Sequence, residues 1–278
     1  MTYSEALSFG DRELKEAGIS EHRIDSGLLL LFVTGRDRTF LLTDGRETEL
    51  RSGEEQSYRE AIEKRKRHVP LQLITGSADF MGLKFLVAEN VLIPRIDTEF
   101  LVEEALKTVQ DGSEVLDMCT GSGCILLSLM KYKNDIRGTG ADISDAALEL
   151  AKKNAEALGL NDVCFIKSDL FENISSVFDH ILCNPPYIKS KEIGGLMEEV
   201  RLFDPVNSLD GGEDGLIFYR RLAEEAKPHL IGGGSLILEI GHTQGEAVSA
   251  ILKEAGFKYI EVLKDYSGNE RVVKCLKS

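Results

Sequence analysis

One junction constrains the fold more than any other feature of the chain. Val115-Leu116-Asp117-Met118 is an apolar strand, Cys119-Thr120-Gly121-Ser122-Gly123 is a turn, and Cys124-Ile125 opens an apolar helix. From about residue 94 onward the same alternation of strand and helix recurs, with candidate strands at 114–118, 136–141, 163–166, 180–183, 235–240, 259–263 and 271–276. Helices fit between them, for example at 146–158 and 215–227. A helical crossover returns the chain to the same edge-to-edge direction, so such strands pair in parallel and the helices cover both faces of the sheet. The last two strands are joined only by a short loop around Ser267-Gly268-Asn269, too short for a crossover, so that pair is expected to be antiparallel. The expected class is α/β.

The turn itself points to a ligand. Glycines let a ligand approach the backbone, and the first N–H groups of the following helix have no partner within it. At the carboxyl end of a strand in an open α/β sheet this makes a nucleotide cradle. A dinucleotide fingerprint needs a third glycine, and here Gly121 and Gly123 are followed by Leu126, which argues against a dehydrogenase. Asp142, about 20 positions on at the end of the next strand, can accept both hydroxyls of a ribose. Asp145 is the rival, but Ser144 and Asp145 read as the cap and start of a helix. Asp169 follows the third strand, where it could reach an adenine edge.

The sharpest motif is Cys183-Asn184-Pro185-Pro186-Tyr187, directly after an apolar strand. Two prolines stiffen the backbone and remove two N–H donors. The Asn184 side-chain oxygen and an exposed Pro185 carbonyl can then act as paired acceptors for an NH2 group, and Tyr187 offers a face for a planar amide or base. An amide nitrogen is a weak nucleophile, so holding both its protons in line with an electrophile is a large part of the catalysis. A proton can leave after alkyl transfer, so the chemistry calls for neither a histidine base nor a metal. The five histidines have no metal-ligand spacing, and no hydrolase elbow is present.

Before the α/β region the pattern is helical. Thr2 and Glu5 fit a capping box, Gly18 is placed to end the first helix, and a second helix runs from Ser20 to a stop at Gly35. A short third surrounds Phe40-Leu41-Leu42, and Ser52 with Glu55 suggests a second capping box for a helix that runs to the basic cluster 64–68. The segments 80–87 and 91–93 read as two strands of a hairpin. With 47 acidic against 33 basic residues the net charge is -14, which disfavours nucleic acid and favours a protein or small-molecule partner. The five cysteines form no paired framework and fit reduced thiols, and no signal or membrane segment is visible, so the expected setting is cytoplasmic.

Asn184-Pro185-Pro186-Tyr187, Ile93-Pro94-Arg95-Ile96-Asp97-Thr98-Glu99 and the stretch Asp117 to Gly123 together resemble the HemK/PrmC family of release-factor glutamine N5-methyltransferases. The resemblance continues in Glu199-Val200-Arg201, Gly211-Gly212-Glu213-Asp214-Gly215, Leu238-Glu239-Ile240-Gly241 and Gly268-Asn269-Glu270-Arg271-Val272. It implies a Rossmann-like, seven-stranded class I methyltransferase sheet at 94–278, a helical domain at 1–72 that docks the release factor, and a hairpin linker at 73–93. It also implies S-adenosylmethionine as cofactor, held by Asp117, Cys119, Thr120, Gly121, Ser122, Gly123, Asp142, Asp169, Leu170 and Asn184. Asn184, Pro185 and Tyr187 would be catalytic, with Pro186 and Arg95 joining them against the substrate, the glutamine of a Gly-Gly-Gln loop, and no metal. Three positions depart from the family pattern: Ile96 for proline, Cys119 for glycine, and Leu170 where an aromatic residue often stands. An Asn-Pro-Pro-Tyr motif is shared with adenine and cytosine amino-methyltransferases, so a nucleic-acid N6-methyltransferase is the main rival, followed by a non-catalytic nucleotide-binding adaptor.

Overall fold

A computed structural model describes residues 1–42 and 47–278. The chain divides into two compact units, Met1–Ser77 with Glu198–Phe203, and Ala78–Met197 with Asp204–Ser278.

The first unit is helical: α1 (Tyr3–Glu16), α2 (His22–Thr34), α3 (Arg38–Leu42), α4 (Ser52–Lys66) and α5 (Leu71–Thr75), together with the short helix Glu198–Phe203. The Thr2–Glu5 capping box is formed, with Thr2 Oγ1 accepting the Glu5 N–H at 3.2 Å and Glu5 Oε2 accepting the Thr2 N–H at 2.8 Å. α2 begins two residues later than expected, and Gly35 ends it at φ 65°. The expected Ser52–Glu55 box is absent. Glu54 instead accepts the Arg51 N–H at 2.9 Å, while Glu55 is held by the Met1 ammonium at 2.9 Å and Arg59 at 3.0 Å. Two cations outcompete a neutral amide for that carboxylate. Tyr3, Leu14, Leu29, Leu30, Tyr58 and Ile62 make the core. A Cβ on Gly10 would stand 2.0 Å from the Tyr58 hydroxyl, so glycine is what lets α1 meet α4 there. Three of the five residues of the basic cluster, Arg65, Lys66 and His68, face acidic partners. Arg65 is buried between Asp25 (2.7 Å) and Glu199 (2.6 Å), Lys66 reaches Glu13 (2.8 Å), and His68 lies 3.1 Å from Glu198.

The second unit opens on a hairpin, β1 (Ser77–Phe80, from Ala78 within this unit) and β2 (Leu83–Leu86). The run 80–87, expected as a single strand, reverses at Met81 and Gly82, whose φ values of 51° and 68° are those a two-residue hairpin turn requires. Residues 91–93 are not a strand: Val91 and Ile93 are apolar because they are buried, not because they pair. There follow α6 (Ile96–Thr108), β3 (Glu114–Met118), α7 (Cys124–Tyr132), β4 (Arg137–Asp142), α8 (Asp145–Ala157), β5 (Val163–Lys167) and β6 (Phe178–Cys183). After α9, the Glu198–Phe203 helix of the first unit, come α10 (Ile217–Glu225), β7 (Leu230–Glu239), α11 (Gly245–Glu254), β8 (Lys258–Lys264) and β9 (Glu270–Leu276).

The seven-stranded sheet runs β5-β4-β3-β6-β7-β9-β8, parallel except at β9, which is antiparallel to both neighbours. Strand side chains alternate between faces. Leu116, Met118, Ile181 and Leu238 meet Tyr219, Leu222, Val248 and Leu252 on one side. Val115, Leu182 and Ile237 meet Leu101, Ala105, Leu126 and Leu129 on the other. The register sets Met118 opposite both Ala141 and Cys183, so the ends of β3, β4 and β6 come together. Among the described residues no helix is long and apolar enough to cross a membrane.

Candidate active site

The strand ends open on a cavity of about 270 Å³ bordered by Cys119, Thr120, Gly121, Ser122, Asp142, Asp169, Leu170, Asn184, Pro186 and Arg95. Ten of the expected site residues therefore share one space. Asp117, Gly123, Pro185 and Tyr187 do not border it but adjoin residues that do.

The turn after β3 owes its shape to left-handed backbone at Cys119 (φ 59°), Gly121 (φ 55°) and Gly123 (φ 80°). Glycine adopts this freely, whereas a cysteine there carries strain of roughly 1–2 kcal/mol. The Cys119 thiol lies against the Cys183 thiol, and Cys119 packs on the sheet core, which holds it in place. A Cβ on Gly123 would approach Leu127 to 3.0 Å and Ala151 to 3.2 Å, so this glycine also brings α7 close to α8. Asp117 is fully buried beneath the turn. Thr120 Oγ1 donates to its Oδ2 at 2.6 Å, while its Oδ1 has no partner among the described residues. Burial pushes this carboxyl up to about 7.

Asp142 is the last residue of β4, as expected, and Ser144 caps the next helix by accepting the Ala147 N–H at 3.3 Å. The two Asp142 oxygens accept from Gly121 N and Ser144 N, each at 2.9 Å. Burial raises its pKa in spite of these bonds. Each carboxylate oxygen keeps further acceptor capacity, which suits a pair of hydroxyls. Asp169 is engaged by Arg221 at 2.8 Å. Leu170 is buried at φ 46°, and Ile143, which the sequence reading did not single out, adds a second apolar wall. An acid at Asp142 and apolar walls at Leu170 and Ile143 fit a ligand that carries a sugar diol and a flat ring. Arg95 forms an ion pair with the buried Asp204.

The Asn184–Tyr187 turn is clamped by residues distant in sequence. Asn184 Nδ2 donates to Thr98 Oγ1 at 3.1 Å, which leaves Oδ1 without a donor among the described residues. Pro185 is buried as a residue, and its carbonyl, the expected second acceptor, accepts no hydrogen bond among the described residues. Gln244 Nε2 donates to the Tyr187 carbonyl at 3.1 Å and to the Gly215 carbonyl at 3.1 Å. The Tyr187 hydroxyl lies 3.4 Å from Glu239 Oε1. Neither Gln244 nor Glu239 was singled out for chemistry, because only the β6–β7 pairing brings them here.

Comparison with known proteins agrees with this geometry. Residues 5–76 match the model of the PrmC N-terminal domain, and residues 95–201 that of the methyltransferase small domain. The release factor glutamine methyltransferase of Clostridium acetobutylicum is 40% identical, across 100% of this chain and 99% of the relative. That of Clostridium botulinum is 38% identical across 100% of both. The chain belongs to the release factor glutamine methyltransferase family. It is an S-adenosylmethionine-dependent methyltransferase. A solved methyltransferase from Pyrococcus furiosus, 19% identical, shares the fold with a TM-score of 0.55 over 71% of this chain and 90% of that one.

Proposed function

We propose that this family member methylates the side-chain amide nitrogen (N5) of the glutamine in the Gly-Gly-Gln loop of peptide chain release factors. The observation that carries the reading is Asn184, whose Nδ2 is tied to Thr98 at 3.1 Å so that Oδ1 is the end left for a ligand. Asn184 Oδ1 and the Pro185 carbonyl are two acceptors at one turn, and together they hold an NH2 group by both protons. Tyr187 supplies a ring face for the amide plane, and Pro186 and Arg95 border the substrate side of the cavity. When bound, S-adenosylmethionine supplies an electrophilic methyl group on a cationic sulfur. Asp142 would take the ribose hydroxyls, the turn Cys119–Gly123, supported from beneath by the buried Asp117, would face the amino-acid end, and Asp169, Leu170 and Ile143 would lie around the adenine. Fixing the nitrogen in place replaces an encounter in solution with an oriented contact, the main advantage available for so weak a nucleophile.

The first unit, with no chemical motif of its own, docks the release factor. Ile24 and Phe32 of α2, 55% and 51% exposed, are apolar groups available for that contact. The net charge of -14 and the acidic partners of Arg65, Lys66 and His68 speak against a nucleic-acid substrate. The five free cysteines fit a reducing, cytoplasmic setting.

The test is a panel of release factor, DNA and RNA offered with labelled donor, followed by peptide mapping. Label on the glutamine of the Gly-Gly-Gln loop is expected, and label confined to DNA or RNA would overturn the assignment. Asn184→Leu should lower the single-turnover rate by roughly 10²–10³-fold, as for a lost preorganised polar contact, with a much smaller change in donor affinity.

A further inference from the structure

Glu239, at the end of β7, is 2% exposed, yet methyl transfer to an amide requires no acid at that place. β6 sets Cys183 opposite Leu238, so this carboxyl lies beside the Asn184 turn. The Tyr187 hydroxyl stands 3.4 Å from its Oε1. Burial, the largest influence, and Asp97 push this carboxyl up to about 7, while a hydrogen bond from the Thr98 hydroxyl and the charge of Arg271 favour its ionised form. Its Oε2 makes no well-aligned hydrogen bond with any described residue, so the carboxyl has acceptor capacity to spare.

Thr98, 2% exposed in the first turn of α6, accepts Asn184 Nδ2 at 3.1 Å. A hydroxyl that accepts on its oxygen still has one proton to give, and the Glu239 carboxyl in its ionised form, above about pH 7, can only accept. The Glu239 carboxyl is the acceptor beside it. With Glu239 ionised the order is one-directional: Asn184 Nδ2 gives to Thr98, and the proton of Thr98 is left to give to Glu239. The two ends of a carboxamide have almost the same shape, so sterics alone do not choose between them. In the flipped state Thr98 would have to give its proton to Asn184, and the buried carboxylate would lose a donor. Asn184 would also then present NH2 to an incoming NH2.

We propose that Thr98 and Glu239 are positioning residues that fix the orientation of the Asn184 carboxamide, so that its oxygen faces the acceptor nitrogen. The proposal rests on the role given above to Asn184. Glu239 also holds the Tyr187 hydroxyl, so one buried carboxyl steadies both ends of the Asn-Pro-Pro-Tyr turn.

The test compares Thr98→Val, Thr98→Ser and Glu239→Gln in the full-length protein, by single-turnover methylation of release factor at saturating donor and by donor calorimetry. Thr98→Val keeps the volume but loses the hydroxyl, and should slow turnover roughly 10- to 100-fold through a misoriented polar contact. Thr98→Ser should restore the rate to within about threefold, since it keeps the same hydrogen-bonding group. Glu239→Gln can donate to Thr98 and so reverse the chain, and should resemble Thr98→Val. Donor affinity should stay within about twofold throughout, as expected of an effect confined to the transition state. In an Asn184→Leu background Thr98→Val should cost nothing further, because residues that act as a unit are not additive. A Thr98→Val rate near that of the unaltered protein, a serine variant as slow as valine, or full additivity with Asn184→Leu would overturn the proposal. If Asn184→Leu alone turned over normally, the fault would lie with the Asn184 reading itself. Should Thr98→Val fail to fold, Glu239→Gln decides the matter, since it changes neither volume nor backbone.

Discussion

Gly211 offers a way to move the Asn184–Tyr187 turn without touching any of its residues. Its φ is not in the left-handed region, so alanine is conformationally acceptable there and any effect must come from contact. An added Cβ would stand 2.8 Å from Tyr187 Cα, 2.9 Å from Tyr187 C and 3.0 Å from Gly215 Cα. All three are backbone atoms, and Gly215 and Tyr187 are tied together through Gln244. No flexible side chain can yield. Carbon atoms prefer separations near 3.5 Å or more, so the backbone of Tyr187 must retreat by about 0.5–0.7 Å. The two prolines between Tyr187 and Asn184 are stiff and pass that displacement along the turn. Overpacking of this kind costs about 1–3 kcal/mol of stability. If a 1 Å misplacement costs about 10²-fold in rate, half that distance should cost roughly tenfold. Urea denaturation and single-turnover methylation of release factor measure the two effects, and donor affinity should change little. Gly195→Ala, where a Cβ meets nothing within 4 Å, is the matched control. The reasoning is refuted if Gly211→Ala and Gly195→Ala are equal in both stability and rate.

Three further outcomes are expected. Asp142→Ala should weaken donor binding by about 1.5–3 kcal/mol as charge-assisted ribose bonds are lost, and unchanged calorimetric affinity would place the ribose elsewhere. Arg65→Met strands the buried Asp25 without its cation and should lower the stability of the first unit by about 3–5 kcal/mol; a stable variant in denaturant titration would contradict this. Folding raises the Asp117 carboxyl from 3.8 to about 7, so its contribution to stability is complete below about pH 4 and is lost as pH rises through 7. Asp117→Asn, measured in the absence of donor, should therefore lose less stability than the unaltered protein between pH 5 and 8, and parallel profiles would show that the carboxyl does not titrate as stated.

Local rules made much of this protein legible. Strand–turn–helix alternation follows from apolar periodicity, so the expected strand at 114–118 coincides with β3 and the other six expected strands each overlap one found in the sheet. The Thr2–Glu5 box and the Gly35 stop depend only on neighbours within one helical turn. The misreadings were places where something non-local won. β7 begins at Leu230, five residues ahead of expectation, because Gly232-Gly233-Gly234 hides a strand whose first residue pairs with Phe178. Glu55 abandoned its predicted cap for the Met1 ammonium, 54 residues away. α10 starts at Ile217 because Gly215 is left-handed at φ 76°.

The sequence by itself determined the chemistry: a glycine turn after an apolar strand, an acid at the next strand tip, and an asparagine stiffened by two prolines. These are short-range arrangements whose geometry depends on few neighbours. Which end of the Asn184 carboxamide is presented is different in kind. It depends on Thr98, 86 residues earlier, and on Glu239, in the strand paired with β6. The direction of a hydrogen bond is a property of both partners. Only the tertiary structure, through the register of the sheet, decides who those partners are.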